Sequence, residues 1–331
     1  MNLASLAAEL RNGRGFRHKR DISDVVAALG RALPGGANDM NQAVAVGDDC
    51  AAIPDGDGYL LFAIEGLVED FITTMPWFAG YSSVMVNVSD VYAMGGRPIA
   101  VVDALWSKGM EPGGDVLRGM AAASVAYAVP IVGGHSNNQS DRGQLAVAIL
   151  GRAKALLTSF AARPGDVLLM AIDLRGAFEE PFPFWNAATR APDWRLRADL
   201  EILPLLAESG LCDAAKDISM AGALGTALML LECSNCGAEI DPSAIPIPAN
   251  VTLNRWLTAF PSFGFVLSVR PEKAPEVRAR FAARDIACAR VGVVTEGTQV
   301  LLKTGADNAT LWNFAEEAFI MAQSLKESVH A

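Results

Sequence analysis

The stretch between residues 46 and 96 holds eight carboxylates; Asp55 and Asp57 belong to a Gly-bearing turn, and the other six, Asp48, Asp49, Glu65, Glu69, Asp70 and Asp90, are set among largely apolar segments. It opens Gly47-Asp48-Asp49-Cys50-Ala51-Ala52 and passes through an apolar run at 59–64 into Glu65-Gly66-Leu67-Val68-Glu69-Asp70. It closes with Asn87-Val88-Ser89-Asp90 and Met94-Gly95-Gly96-Arg97-Pro98. Carboxylates gathered among apolar elements repel one another and lose hydration unless something positive sits among them. Mg²⁺ carried by a nucleotide is the usual answer.

The pattern on either side is α/β (α+β). Helices are expected at 3–11 and at 21–33, where Val25, Val26, Leu29 and Leu33 recur at helical spacing before Pro34-Gly35-Gly36. A strand at 44–53 and a turn at 55–58 lead to a strand at 59–65, whose unbroken apolar character predicts burial on both faces. Ser82 or Ser83 then caps a helix on which Ser83, Asn87 and Asp90 share a face. A strand at 99–106, a helix at 113–127 and a short strand into Gly133-Gly134-His135-Ser136-Asn137-Asn138 follow, with another strand at 144–150. Residues 153–163 read as a connection between domains, and 179–193 as an irregular, packed surface loop or a lid. A helix opens at 217–225 and runs to about Cys233. Strands at 167–172, 238–241, 263–269, 287–294 and 298–303 alternate with helices at 273–283 and 309–327.

At 331 residues there is enough chain for two cores. The net charge of -10 and the lack of a long Lys/Arg run exclude a general nucleic-acid binder. The basic stretch Arg17-His18-Lys19-Arg20 reads as a solvated arm, or as a flap over phosphate. No membrane span is expected, and Glu9 and Arg11 interrupt any signal core, so the default is cytoplasmic. Five cysteines in such a chain predict reduced thiols. Cys233-Ser234-Asn235-Cys236 is a lone pair without a second metal-binding pair, which favours a structural helix end over a zinc or redox site.

In their order and spacing these residues resemble the aminoimidazole ribonucleotide (AIR) synthetase superfamily. It includes thiamine-monophosphate kinase, selenophosphate synthetase and the hydrogenase-maturation protein that dehydrates a carbamoyl group. The matching stretches are Gly47-Asp48-Asp49-x-Ala51-Ala52, Leu67-Val68-Glu69, Asn87-x-Ser89-Asp90 with Met94-Gly95-Gly96-x-Pro98, and Val132-Gly133-Gly134. Arg163-Pro164-Gly165-Asp166-x-Leu168, Asp217-x-Ser219 with Gly222 and Leu224, Gly237-Ala238-Glu239-Ile240 and Gly292-x-Val294-Thr295-Glu296-Gly297 continue it.

The resemblance implies a two-domain AIR synthetase-like fold. Residues 1–155 would bind ATP and Mg²⁺ and pair their sheet with that of a second copy in a barrel-like core. Residues 156–331 would form an α/β sandwich. By position it implies Asp48, Asp49, Asp90 and Glu65 as Mg²⁺ ligands. Asp48, Asp49, Asn87, Gly133, Gly134, Asn137, Asp217 and Ser219 would contact the nucleotide. The implied activity is ATP-dependent phosphorylation or activation of a small-molecule substrate by a homodimer.

Three positions depart from the family pattern. Glu65 stands where the kinases have Asp. His135 replaces an acid, and a neutral imidazole is a poor Mg²⁺ ligand, so either one metal is lost or His135 does another job such as proton transfer; His135 and Asp90 are the catalytic candidates. Met220 replaces an acid of the thiamine-monophosphate kinase motif. The departures at His135 and Met220 also support a second reading, a nucleotide-binding scaffold without turnover. Arg97, Lys108 and Arg142 are candidates for neutralising phosphate.

Overall fold

A computed structural model of the chain describes residues 2–32 and 46–321. In chain order the elements are α1 (Leu3–Asn12), α2 (Arg14–Ala32), β1 (Ala51–Asp55), β2 (Gly58–Leu67), α3 (Glu69–Thr74), α4 (Pro76–Ala93), β3 (Arg97–Lys108), α5 (Met110–Tyr127), β4 (Ile131–Asn137) and β5 (Gln139–Ala153). There follow β6 (Val167–Ile172), β7 (Ala177–Phe178), β8 (Phe184–Asn186), α6 (Asp193–Leu200), α7 (Ile202–Glu208), β9 (Ala214–Asp217), α8 (Gly222–Cys233) and β10 (Gly237–Ile240). The last are α9 (Leu253–Leu257), β11 (Phe260–Pro261), β12 (Gly264–Val269), α10 (Ala274–Ala282), β13 (Ala287–Thr295), β14 (Gln299–Thr304) and β15 (Asp307–Asn313). Among the described residues no helix is long and apolar enough to cross a membrane.

By compactness the chain forms two units. Unit 1 comprises Met1–Asp48, Leu157–Thr189 and Ser209–Ala331; unit 2 comprises Asp49–Leu156 and Arg190–Glu208. In this grouping α1 and α2 fall in unit 1, and α6 and α7 fall in unit 2. Asp48 and Asp49, adjacent in sequence, fall in different units.

Unit 2 is a five-stranded sheet in the order β1-β2-β5-β3-β4, with only β3 and β4 parallel. Leu61, Ala63, Val101, Leu105, Val147 and Ile149 are buried on one face. There α4 lies against β5, since a Cβ on Gly151 would meet the Val91 side chain. Helices α4 and α5 approach backbone to backbone: a Cβ on Gly80 would run into the Val116 carbonyl, and one on Gly119 into the Trp77 carbonyl. The opposite face carries Ile53, Phe62, Ile64 and Val102, exposed by 46%, 50%, 64% and 41%. The expected burial of 59–65 on both faces is therefore corrected. Alternation sends Leu61 and Ala63 under the helices and leaves Phe62 and Ile64 open.

Two boundaries also move. Residues 44 and 45 of the expected strand lie outside the described residues, and 47–50 form turns and bends, with Gly47 at a φ of 132°, so β1 begins only at Ala51. Helix α4 begins at Pro76, a residue suited to a first turn because it has no N–H to leave unsatisfied, and Ser82 and Ser83 are interior. Ser83 Oγ donates back to the Gly80 carbonyl at 2.8 Å. The helix stops as expected: Gly95 has a φ of 76°, and Gly96 N–H donates to the Val91 carbonyl at 3.0 Å.

Unit 1 is a seven-stranded sheet in the order β15-β14-β10-β13-β6-β12-β9. β6 and β12 are buried along their whole length, as is α8 from Gly222 to Glu232. Phe16 of α2 enters this core edge-on to Trp312 and Phe319, with ring centroids 6.2 and 5.2 Å apart. The basic stretch 17–20 is thus part of a seated helix, where Arg20 pairs with Glu317. The expected helix at 309–327 is overturned. Gly305, at a φ of 61°, turns the chain so that Thr304 pairs with Asp307, and β15 zips onto β14 with Leu311 and Trp312 buried. Residues 322–327 of that expected helix, and 33–36 of the expected stop after α2, lie outside the described residues. Of the stretch 179–193, expected to be irregular, residues 184–186 form β8, which pairs with β7 and β11 in a small sheet where Trp185 is buried and donates to the Asp173 carbonyl at 3.0 Å.

The α4–α5 contact has no room for a methyl group. Gly119→Ala is expected to destabilise unit 2 by about 1–3 kcal/mol, read as a lower urea midpoint. An unchanged midpoint would mean that the helices are not packed this closely.

Candidate functional site

On unit 2 the site is built on α4. Ser83, Asn87 and Asp90 lie on one turn-spaced stripe, and all three are buried. Asn87 has no exposed surface; its Nδ2 donates to the Ser83 carbonyl at 2.8 Å. Asn87 Oδ1 has no hydrogen-bond partner among the described residues. Leaving a buried acceptor unmet costs about 1–3 kcal/mol, so a group absent from the chain itself is the natural partner. One turn further on, the Asp90 carboxylate comes within 4.8 Å of that of Asp49. Donors of oxygen only, two of them anionic, suit a hard divalent cation such as Mg²⁺ and not a soft metal.

The sheet register extends this acidic face. Glu65 pairs with Val147, Val147 with Asp103, and Asp103 with Gly134, so all four point to the helix-covered side. Asp103 is half-buried, and burial raises its carboxyl above the usual carboxylate value. Gly134 is glycine for a local reason: a Cβ there would collide with the Asp103 carboxylate. Asp103 escaped the sequence reading. Its signal was a single acid inside the apolar run Ile99-Ala100-Val101-Val102-Asp103-Ala104-Leu105.

His135 is placed on the other side of the sheet. It pairs with Ala104, is exposed, and packs its ring 5.6 Å from that of Trp106. The structure does not bring His135 to Asp90 within unit 2. Gly133 is exposed, and a Cβ there would meet nothing. Asn137 and Asn138 serve the turn after β4. Asn137 Oδ1 accepts from Gln139 N–H at 2.9 Å, and Asn138 Oδ1 from Ser107 Oγ at 3.1 Å. Arg97, a phosphate candidate, is engaged by Glu201 and Glu208 of the inserted helices, and the hydrogen bond from Arg97 holds the Glu208 carboxyl below its usual value. Lys108 and Arg142 are exposed.

On unit 1, Asp48 has no exposed side-chain surface and is met by Thr158, Ser159 and Lys216. Asp217 is buried at the end of β9, in register with Phe265, and α8 starts later than expected, at Gly222. The first turn of α8 has no side-chain cap. Ser219 Oγ is buried without a hydrogen-bond partner among the described residues, while its N–H donates to Thr226 Oγ1 at 3.3 Å. Cys233 ends α8 and Cys236 is buried under the Ala162 carbonyl. Both are free thiols, and among the described residues no cysteine joins a cluster of three metal-binding side chains.

Comparison with known proteins bears on this geometry. Residues 47–153 match the AIR synthase related protein N-terminal domain, and residues 187–303 its C-terminal domain. An uncharacterised protein of Synechocystis sp. is 48% identical over 315 residues, covering 95% of this chain and 97% of its own. Thiamine-monophosphate kinase of Pyrococcus horikoshii is 31% identical over 231 residues, covering 62% of this chain and 69% of its own. Among solved structures, T. maritima PurL complexed with ATP superposes with a TM-score of 0.68 at 20% identity over 82% of this chain. The match takes in 46% of PurL, so the chain spans about half the length of that protein. AaThiL complexed with AMPPCP and TMP superposes with a TM-score of 0.64 at 18% identity, over 87% of this chain and 96% of its own.

Asn87→Leu removes the unmet acceptor and keeps the volume. Apo stability is expected to stay within about 1 kcal/mol of wild type, while Mn²⁺ binding, followed by electron paramagnetic resonance, weakens. A large loss of stability with unchanged Mn²⁺ binding would make Asn87 a packing residue only.

Proposed function

The chain belongs to the AIR synthase-related family, and on that premise we propose that it is an ATP- and Mg²⁺-dependent enzyme that phosphorylates or activates a small molecule. The observation that carries this reading is the buried, unmet Asn87 Oδ1 one turn from Asp90, whose carboxylate approaches that of Asp49. Asp49 and Asp90 supply the anionic oxygens for the ion and Asn87 a neutral one. Glu65, on the same face of the sheet, adds to the negative field that draws the ion in. The ion, when bound, neutralises phosphate charge. The remaining task of the chain is to hold the reacting groups in line, which is most of what phosphoryl transfer asks of a protein. In unit 1, the resemblance assigns Asp217 and Ser219 to the nucleotide. The uncapped first turn of α8 and the unmet Ser219 Oγ support that assignment.

Similarity to a thiamine-monophosphate kinase supports the reading that the chemistry uses ATP. Met220, exposed at the position of a kinase acid, argues that the acceptor differs from that kinase's. The second reading, a nucleotide-binding scaffold, predicts binding of ATP without consumption. Calorimetry with Mg²⁺ and AMPPCP tests the site. Wild type is expected to bind only with the metal present, and Asp49→Asn to weaken binding about tenfold or more. Absence of metal-dependent binding to wild type refutes the reading.

We also propose that a second copy covers the open face of the unit 2 sheet, as the resemblance implies. Ile53, Phe62, Ile64 and Val102 are each about half exposed, so covering them is worth about 1 kcal/mol each, which contributes to offsetting the association cost. Light scattering at micromolar concentration is expected to report a dimer, and Ile64→Asp a monomer. A monomeric wild type rules out this pairing.

A further inference from the structure

The Gly47-Asp48-Asp49 element offers two adjacent acids, and the surroundings of Asp48 leave it no role as an ion ligand. Its Oδ2 accepts from Thr158 Oγ1 at 2.7 Å and from Ser159 N–H at 2.8 Å. Its Oδ1 accepts from Ser159 Oγ at 2.6 Å and faces Lys216 Nζ at 3.8 Å. A carboxylate has about four acceptor sites, and here three hold donors while an ammonium stands at the fourth. Lys216 is as enclosed as its partner, with 5% of its side chain exposed against none for Asp48. All of these groups belong to unit 1. A Mg²⁺ ion needs oxygens at about 2.0–2.1 Å in near-octahedral array. It could reach Asp48 only by displacing those donors and approaching a buried cation of like sign.

We propose that Asp48 is the buried counter-ion of Lys216 and not a metal ligand, so that the acidic pair contributes one ion-binding carboxylate, Asp49, with the lysine ammonium as the resident cation of the other. This rests on the metal reading above and sharpens it. The two adjacent acids divide the work: one secures the loop at Gly47 against the 158–159 turn and β9, and the other is the proposed ion ligand. Lys216 lies on β9 between Ala215 and Asp217, in register with Val266. An apolar residue there would be the ordinary choice for a strand so buried. The lysine is accounted for by the charge it answers.

The test is a double-mutant cycle with two readouts on the full chain. Mn²⁺ alone is titrated by electron paramagnetic resonance, and thermal unfolding is followed in metal-free buffer. Asp48→Asn is expected to leave the Mn²⁺ affinity within about twofold of wild type, while Asp49→Asn weakens it about tenfold or more. In unfolding, Asp48→Asn and Lys216→Met each lower the midpoint, because each strands a buried partner. The double variant Asp48→Asn/Lys216→Met is expected to melt above the sum of the two losses, since replacing a buried pair costs less than breaking it. Should Asp48→Asn fail to fold, the double variant carries the Mn²⁺ titration. The proposal is overturned if Asp48→Asn, or the double variant, loses Mn²⁺ as Asp49→Asn does, or if the two stability losses simply add. If wild type binds no Mn²⁺ at all, the metal reading fails by itself, and the unfolding cycle still decides whether Asp48 and Lys216 are a pair.

Discussion

Burying a carboxylate removes its water, and within each unit this fold replaces that water with donors brought from distant parts of the chain. Asp166 accepts from Ser268 Oγ and the Arg163 N–H and pairs with Arg270. Glu232, on a fully apolar stretch of α8, accepts the backbone N–H groups of Phe319, Ile320 and Met321. Asp48 holds the 158–159 turn and Lys216. An unpaired buried charge costs several kcal/mol (about the whole margin of a typical domain). These contacts therefore fix which loops meet which strands. Against that background an unmet buried acceptor is informative. Asn87 Oδ1 stands on the helix that carries Asp90, and nothing in unit 2 that the structure describes answers it.

The sheet of unit 2 shows a second constraint. Its strands are apolar on both sides, but helices α4 and α5 cover only one. A run such as Leu60-Leu61-Phe62-Ala63-Ile64 is too hydrophobic for a water-facing surface strand, and the open face keeps Phe62 and Ile64 half or more exposed. The apolar surplus is what the proposed pairing would use, with one side of the sheet against its own helices and the other against a second copy.

Much of this was legible beforehand. The order of most of the longer helices and strands through 304, the glycine stop at Gly95-Gly96 and the shared face of Ser83, Asn87 and Asp90 follow from spacing and local chemistry; the short strands β7, β8, β9 and β11 do not. Three further features were not legible, each for a physical reason. Residues 307–313 carry apolar side chains that suit either period, and only the turn at Gly305 and pairing with β14 make them a strand. Neighbouring Asp48 and Asp49 are chemically identical, and their division depends on Thr158, Ser159 and Lys216, more than a hundred residues away. The side on which His135 emerges depends on a register shift between Val101 and Val102 in the β3–β4 pairing. One residue of slip exchanges the faces of a strand, and no local signal announces the slip.

That last point changes how the departures from the family pattern weigh. As a sequence feature, His135 in place of an acid counts against a working metal site. In the structure, Gly134 and Asp103 lie on the helix-covered face with Glu65, whereas His135 points to the open face beside Trp106. Within unit 2 a side chain at 135 does not share a face with Glu65 and Asp103, so under the proposed metal reading the substitution leaves Asp49, Asn87 and Asp90 in place. Under the proposed pairing of two copies, His135 and Trp106 stand on the surface that the partner covers, and the histidine is a matter of the interface before it is one of catalysis. The case for a scaffold without turnover then rests on Met220 alone, and a changed acceptor accounts for Met220 equally well.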